Sequence, residues 1–357
     1  MHDTLVSRHA NEAVRELYAY LRTLYGHGIL SGQQMYGPEG YEAQTVYQET
    51  GKLAALRGYD FLGLEEGLGD DHQVTDAIRW HKQGGIVTFC WHWMVPTDPQ
   101  ADENGSAFTG AAFYSDRTEF QSQTSFDVTR ALQEGTKENR IILRHIRNIA
   151  AQIKRLEQAG VPILWRPLHE ASGQWFWWGA KGAHPYKKLW DLLFHQLEDV
   201  YQCGNLIWVW NGQSPEWMVD KNTVDIGGED IYPGERIYSS HKDRFDLCAR
   251  CVGPDRMIAL SENGCLCDPD ALLADGVPWL WWCVWWGDFV FKREADGRLV
   301  YQETYTDVSM LRHVYHHPYV NSTTLPSCRD ELSASVIRLV MDRIRASSSF
   351  IAKGLVR

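Results

Sequence analysis

Arg166, His169 and Glu170 stand together at the end of an apolar run, Val161-Pro162-Ile163-Leu164-Trp165. A strand that is apolar along its length and then delivers a cation, an imidazole and a carboxylate reads as a barrel strand feeding its C-terminal mouth. Trp175-Phe176-Trp177-Trp178 follows closely. Indole has a flat apolar face and an N–H donor, the combination that packs on the C–H face of a pyranose ring. A second carboxylate, Glu262, closes another apolar run, Met257-Ile258-Ala259-Leu260-Ser261. Two carboxylates across a barrel mouth, with Trp around them, suit cleavage of a glycosidic bond. One stays protonated to donate to the leaving oxygen, and the other is ionised to attack the anomeric carbon. Environment rather than residue type sets those roles. Taken singly, either Glu reads as well as a rim residue in a salt bridge. The pair, with its aromatics, does not.

The elements that must carry these groups alternate along the chain. Apolar residues at Val14, Leu17, Tyr18, Leu21 and Leu24 have helical spacing. A first strand is expected over 28–32, ending at Gln33-Gln34, and a second within 53–64. Ile86–Cys90 is a clear third strand, running into Trp91-His92-Trp93. A long polar excursion over 97–124 follows, placed as a cleft wall because loops of that length are usually functional or mobile. A long helix through Ile141 to Leu156 precedes the fourth strand. Leu206–Trp210, 224–228 leading to Asp230 and Tyr232, Met257–Ser261 and 278–286 supply the remaining strands. Eight strand–helix alternations argue for a single (β/α)8 TIM barrel, over 1–320. A doubly wound open sheet is the competing architecture, weakened because no Gly-x-Gly-x-x-Gly follows the first strand.

Composition narrows the partners. Sixteen Trp and sixteen Tyr exceed what a core needs, so some are expected in a ligand cleft. A formal charge of −11 argues against nucleic acid, which requires a basic face. The most apolar run, 277–286, is too short to cross a bilayer. No basic segment followed by an apolar run opens the chain at Met1–Val6, so no signal peptide is visible. The expectation is a cytoplasmic protein, or an exported one whose signal has been removed. Cys248-x-x-Cys251 and Cys265-x-Cys267 are a weak zinc candidate, because the second spacing is short, and unpaired thiols fit better. No metal or cofactor is expected, because no His/Asp cluster has convincing ligand spacing.

At these residues the chain resembles glycoside hydrolase family 26, mostly endo-β-1,4-mannanases. The resemblance rests on Trp165-Arg166-Pro167-Leu168-His169-Glu170, Gly173 and Trp175-Phe176-Trp177-Trp178-Gly179. It extends to Ile29-Leu30-Ser31-Gly32-Gln33, Trp91-His92, Asp230-x-Tyr232-Pro233-Gly234 and Ser261-Glu262-Asn263. By that resemblance Glu170 is the acid/base, Glu262 the nucleophile, and cleavage of β-mannan or manno-oligosaccharides proceeds by double displacement with retention. Retention requires carboxyls about 5–5.5 Å apart, and ~9 Å would favour inversion. The resemblance also implies that Arg166 orients the nucleophile, Tyr232 donates its hydroxyl to Glu262, and His92 and His169 contact substrate. Trp175 would be a platform on the leaving-group side. A further platform is expected at Trp285, or at Trp286 if the register slips by one. Asn211 reads as structural. A mixed-linkage β-glucanase, a β-1,3-xylanase, an exo-mannobiohydrolase and a non-catalytic carbohydrate-binding barrel are the competing functions.

The segment 321–357 lies outside the resemblance and is linker-like. Leu332, Val336, Val340 and Ile344 recur every fourth residue, which suggests an amphipathic helix over 330–346. Nothing in the sequence sets the oligomeric state.

Overall fold

The computed structural model describes residues 4–67, 71–99, 110–120 and 122–323. The apolar runs fold as parallel strands that close on themselves. In chain order they are β1 (Gly32–Gln34), β2 (Leu56–Asp60), β3 (Ile86–Cys90), β4 (Ile163–Arg166), β5 (Leu206–Trp210), β6 (Ile226–Ile231), β7 (Met257–Asn263) and β8 (Trp282–Val284). The helices are α1 (Glu12–Leu24), α2 (Tyr41–Thr50), α3 (His72–Lys82), α4 (Val128–Ala131), α5 (Lys137–Gln158), α6 (Ala183–His195), α7 (Lys242–Val252), α8 (Pro269–Asp275) and α9 (Val308–His316).

Local chemistry explains several boundaries. β4 begins at Ile163 because Pro162 has no N–H to donate to a ladder, and it extends through Arg166, registered on β3 as Arg166↔Cys90. The Thr136 hydroxyl caps α5 by accepting the Asn139 N–H at 3.1 Å. One face of α5, from Ile141 and Ile142 to Ile153 and Leu156, is buried.

The first strand departs from expectation. Ile29–Leu30 is not a barrel strand but the edge of a three-stranded sheet, with Val320–Thr323 in its centre and Leu53–Ala54 beyond. Residues 321–323 therefore belong to a strand at the foot of the barrel. β1 proper is Gly-Gln-Gln, polar yet buried. Its closure on β8 requires Gly32, because a β-carbon there would lie 2.0 Å from the Trp282 carbonyl oxygen. The Gln33 side-chain amide substitutes for apolar packing by donating to the carbonyls of Gln34 and Val284 at 3.1 and 3.0 Å. Val14, Tyr18 and Leu21 of α1 join Leu56, Leu164, Ile207 and Trp281 in one buried core. The expected amphipathic helix over 330–346 and Cys328 lie outside the described residues.

The four candidate zinc thiols do not form a cluster. Cys248, Cys251, Cys265 and Cys267 are all free and buried, and Cys265 Sγ donates to the Tyr305 carbonyl at 3.0 Å. Among the described residues no helix is long and apolar enough to cross a membrane.

Candidate active site

Parallel strands deliver their C-terminal ends to one mouth, and β4, β6 and β7 meet there around one guanidinium. Arg166 Nη1 donates to Asp230 Oδ2 at 2.5 Å, and Nη2 donates to Glu262 Oε2 at 2.6 Å. All three side chains are buried. A register shift makes this convergence possible: Glu229 pairs with Leu260, but Asp230 pairs with Glu262, so Ser261 is an extra residue on β7. A bulge of this kind re-aims side chains. Here it sets Asp230 beside Glu262, and the Ser261 hydroxyl bonds Asp230 Oδ1 at 2.8 Å. The Tyr232 hydroxyl, from just beyond β6, donates to the second oxygen of Glu262.

Glu170 sits on a turn just past β4. Leu168 and Glu170 both have φ of 52°, a left-handed conformation that costs about 1–3 kcal/mol at a non-glycine residue. Asn211 holds this turn in place. Its carbonyl and its side-chain Oδ1 both accept the Glu170 N–H, at 2.8 and 3.0 Å. Its side-chain amide donates to Asp230 Oδ1 and Ser261 Oγ, each at 2.8 Å. Asn211 is thus structural, as its sequence position suggests, but it ties the Glu170 backbone directly to the Arg166 cluster. Trp175 Nε1 donates to Glu170 Oε2 at 3.0 Å.

One oxygen each from Glu170, Asp230 and Glu262 lie within 4.8 Å of one another. Such a triad has the donor set of a cation site, but Arg166 already bridges two of its members with a fixed positive charge. Three carboxylates against one guanidinium favour retention of a proton. Burial, followed by the Asp230 and Glu262 charges, pushes Glu170 up to about 8. Burial raises Asp230 as well, with Arg166 opposing and Glu262 adding to the rise. The donors decide where the proton rests. Asp230 has Arg166, Asn211 and Ser261, whereas Glu170 has, among the described residues, only the Trp175 N–H. This donor set favours Glu170 over Asp230 as the protonated member.

Two histidines form the other wall. His92 Nδ1 bonds Asp60 Oδ2 at 2.6 Å. Burial opposes charge on His92, but the Asp60 carboxylate outweighs it and raises the pKa. His169 is held well below its ordinary value by burial, and then by Arg166 and His92. His92 Nε2 and His169 Nε2 share a hydrogen bond at 3.3 Å. His169 is enclosed, 1% exposed, with Trp178 Nε1 on its carbonyl at 2.9 Å. It therefore bears on His92 rather than opening directly to the mouth. Trp285 lies beside His92, ring centroids 5.7 Å apart, whereas Trp286 turns away onto Tyr36. From the long excursion, Phe113 packs on His92 at 4.9 Å and Tyr114 on Phe176 at 5.4 Å.

All eight residues singled out from the sequence (Glu170, Glu262, Arg166, His92, His169, Trp175, Tyr232 and Trp285) thus gather at one end of the barrel. Sequence reasoning missed Asp60, Asp230 and Ser261 as members of the site. Asp230 was within reach, because it is a carboxylate at the C-terminal end of the sixth strand, two residues before Tyr232.

The profile of glycosyl hydrolase family 26 matches residues 6–323. The chain belongs to that family. A mannan endo-1,4-β-mannosidase of Thermothelomyces thermophilus is 40% identical over 306 residues, 83% of this chain and 60% of that protein. Mannan endo-1,4-β-mannosidase B of Piromyces sp is 33% identical, over 92% of this chain and 54% of the relative. The chain thus spans little more than half the length of these curated relatives. Among solved structures, a Podospora anserina GH26-CBM35 β-(1,4)-mannanase superposes with a TM-score of 0.79 at 35% identity, covering 90% of this chain and 68% of that one. A β-mannanase from a symbiotic protist of the termite Reticulitermes speratus, complexed with gluco-manno-oligosaccharide, gives 0.78 at 28% identity, covering 91% and 98%.

Removal of Arg166 leaves two buried carboxylates opposed. Arg166→Met is expected to cost about 3–5 kcal/mol of stability by denaturant titration. Adding Asp230→Asn should recover part of that loss, because the second charge is then gone. If the double variant is the sum of two independent losses, the electrostatic account of the cluster is wrong.

Proposed function

We propose that this chain is a retaining endo-β-1,4-mannanase, with Glu170 as acid/base and Glu262 as nucleophile. The observation that carries the reading is the contrast between two carboxylates with oxygens within 4.8 Å. Glu262 is clamped by Arg166 and Tyr232, whereas Glu170 is crowded toward its protonated form. An approach of oxygens to within 4.8 Å suits the carboxyl separation of about 5–5.5 Å in retaining enzymes better than the ~9 Å at which water fits between. The names of the family relatives support the substrate.

Glu170 donates its proton to the glycosidic oxygen as the Glu262 carboxylate attacks the anomeric carbon. The C–O bond to the leaving chain breaks and a glycosyl ester forms. Glu170, now ionised, takes a proton from water, whose oxygen attacks the same carbon and releases Glu262. Arg166 and Tyr232 each bond one oxygen of the nucleophile and hold it oriented. His92, its ring fixed by Asp60 and His169, lines the region where sugar hydroxyls lie. Trp285 gives the sugar at the cleavage point an apolar face, and Trp175 serves the leaving-group side while its N–H steadies Glu170.

Linear mannan, galactomannan and glucomannan should each release mixed manno-oligosaccharides early in the reaction, with lichenan and β-1,3-xylan much poorer. Release from lichenan or β-1,3-xylan alone would replace the substrate, and mannobiose as sole early product would make the enzyme exo-acting. Glu170→Ala should lower kcat by about 10²–10⁴-fold. Glu262→Ala should abolish turnover while retaining oligosaccharide binding, and undiminished hydrolysis by it would refute the assignment.

The pH profile offers an independent check. Glu170 must be protonated in the free enzyme, so kcat/KM should fall as pH rises through about 8. The Trp175 N–H favours the ionised form of Glu170. Trp175→Phe removes that donor, raises the Glu170 pKa and should move the basic limb to higher pH. A shift to lower pH would contradict the assignment of this limb to Glu170.

A further inference from the structure

Tyr36 follows β1 and Trp286 follows β8, neighbouring strands on the side of the barrel opposite β4 and β5. Their rings stack at 4.0 Å between centroids with planes 12° apart. Tyr36 remains 46% exposed, so only one of its faces is covered. Large aromatic rings left open at a mouth are binding surfaces more often than packing. The pair also continues a path of rings. Tyr36 stacks on Trp286, Trp286 lies 6.2 Å from Trp285, and Trp285 lies 5.7 Å from His92. The path leads from the catalytic wall to open solvent, away from Glu170 and Trp175.

The pair is also built into the fold. Glu42, on α2, is 2% exposed, and its carboxyl lies beside the backbone of both Gly287 and Tyr36. One buried side chain thus sits against both segments that carry the rings. The Tyr36 carbonyl bonds His72 Nε2 at 2.8 Å, which pins the same turn to α3. A rigid, pre-formed platform binds without the ordering cost that a mobile ring would bring.

We propose that the open face of Tyr36, backed by Trp286, is a distal sugar subsite on the glycone side, taking a backbone pyranose beyond the one at Trp285. This rests on the mannanase reading above. The stacking face discriminates little between mannose and glucose, since both present an apolar C–H surface, so the subsite recognises chain length more than sugar identity.

The test compares mannopentaose with mannotriose, with the cleaved bond identified by hydrolysis in ¹⁸O-labelled water and mass spectrometry. Tyr36→Ala should lower kcat/KM on mannopentaose by about tenfold more than on mannotriose. It should also move cleavage of mannopentaose toward the non-reducing end, because fewer residues are then held on the glycone side. Tyr36→Phe, which keeps the ring, should restore the wild-type pattern. Tyr20→Ala, an exposed tyrosine on α1 at the foot of the barrel, controls for loss of any surface ring. An equal effect on both substrates, no change of cleaved bond, or a shift toward the reducing end would overturn the subsite. If the wild-type protein cleaves neither oligosaccharide, the mannanase reading itself fails and the subsite falls with it.

Discussion

One guanidinium, buried between two carboxylates with a third close by, is the interaction on which this site depends. Arg166 is 3% exposed and contacts both Asp230 and Glu262. Burial of a charge is costly unless it is paired and hydrogen-bonded. The barrel meets that requirement by bringing β4, β6 and β7 to one point, and the extra residue at Ser261 turns Asp230 and Glu262 toward the same cation. Without Arg166 the mouth would hold three acids in low dielectric, and none could be trusted to stay ionised. With it, one carboxylate can remain a nucleophile while another remains an acid.

That division of roles follows from counting donors rather than from the residue type. Glu262 receives Arg166 and Tyr232, and Asp230 receives Arg166, Asn211 and Ser261. Among the described residues, Glu170 receives only Trp175. The surplus proton settles where the fewest donors compete with it. Asn211 links this electrostatic arrangement to the backbone, since the residue that bonds Asp230 also holds the left-handed turn carrying Glu170. Strain at that turn is sustained by the same network that sets the protonation state.

Much of this was legible in the sequence, and the failures have physical causes. Apolar runs that end in polar or charged groups marked β3, β4, β5 and β7, because a strand buried on both faces must be apolar until it reaches the mouth. The first strand was misplaced for the same reason. Ile29–Leu30 is apolar but lies outside the barrel, whereas Gly32–Gln34 is polar and inside, the Gln33 amide satisfied by the carbonyls of Gln34 and Val284. Asp60 was missed because its meaning lies in His92, 32 residues away, and no local pattern encodes that contact. The Trp285–Trp286 ambiguity arose because alternation ends with β8 at Val284. Beyond it the loop, not the pleat, decides which ring faces the catalytic wall and which turns to Tyr36.

The measurement that bears most directly on this account is covalent trapping. A mannosyl or manno-oligosaccharyl fluoride carrying fluorine at C2 slows release of the glycosyl ester more than its formation, and peptide mass spectrometry then locates the bond. The account predicts a single adduct on Glu262, absent from Glu262→Ala. An adduct on Glu170 or Asp230, or none from an enzyme that releases product with inverted configuration, would contradict it.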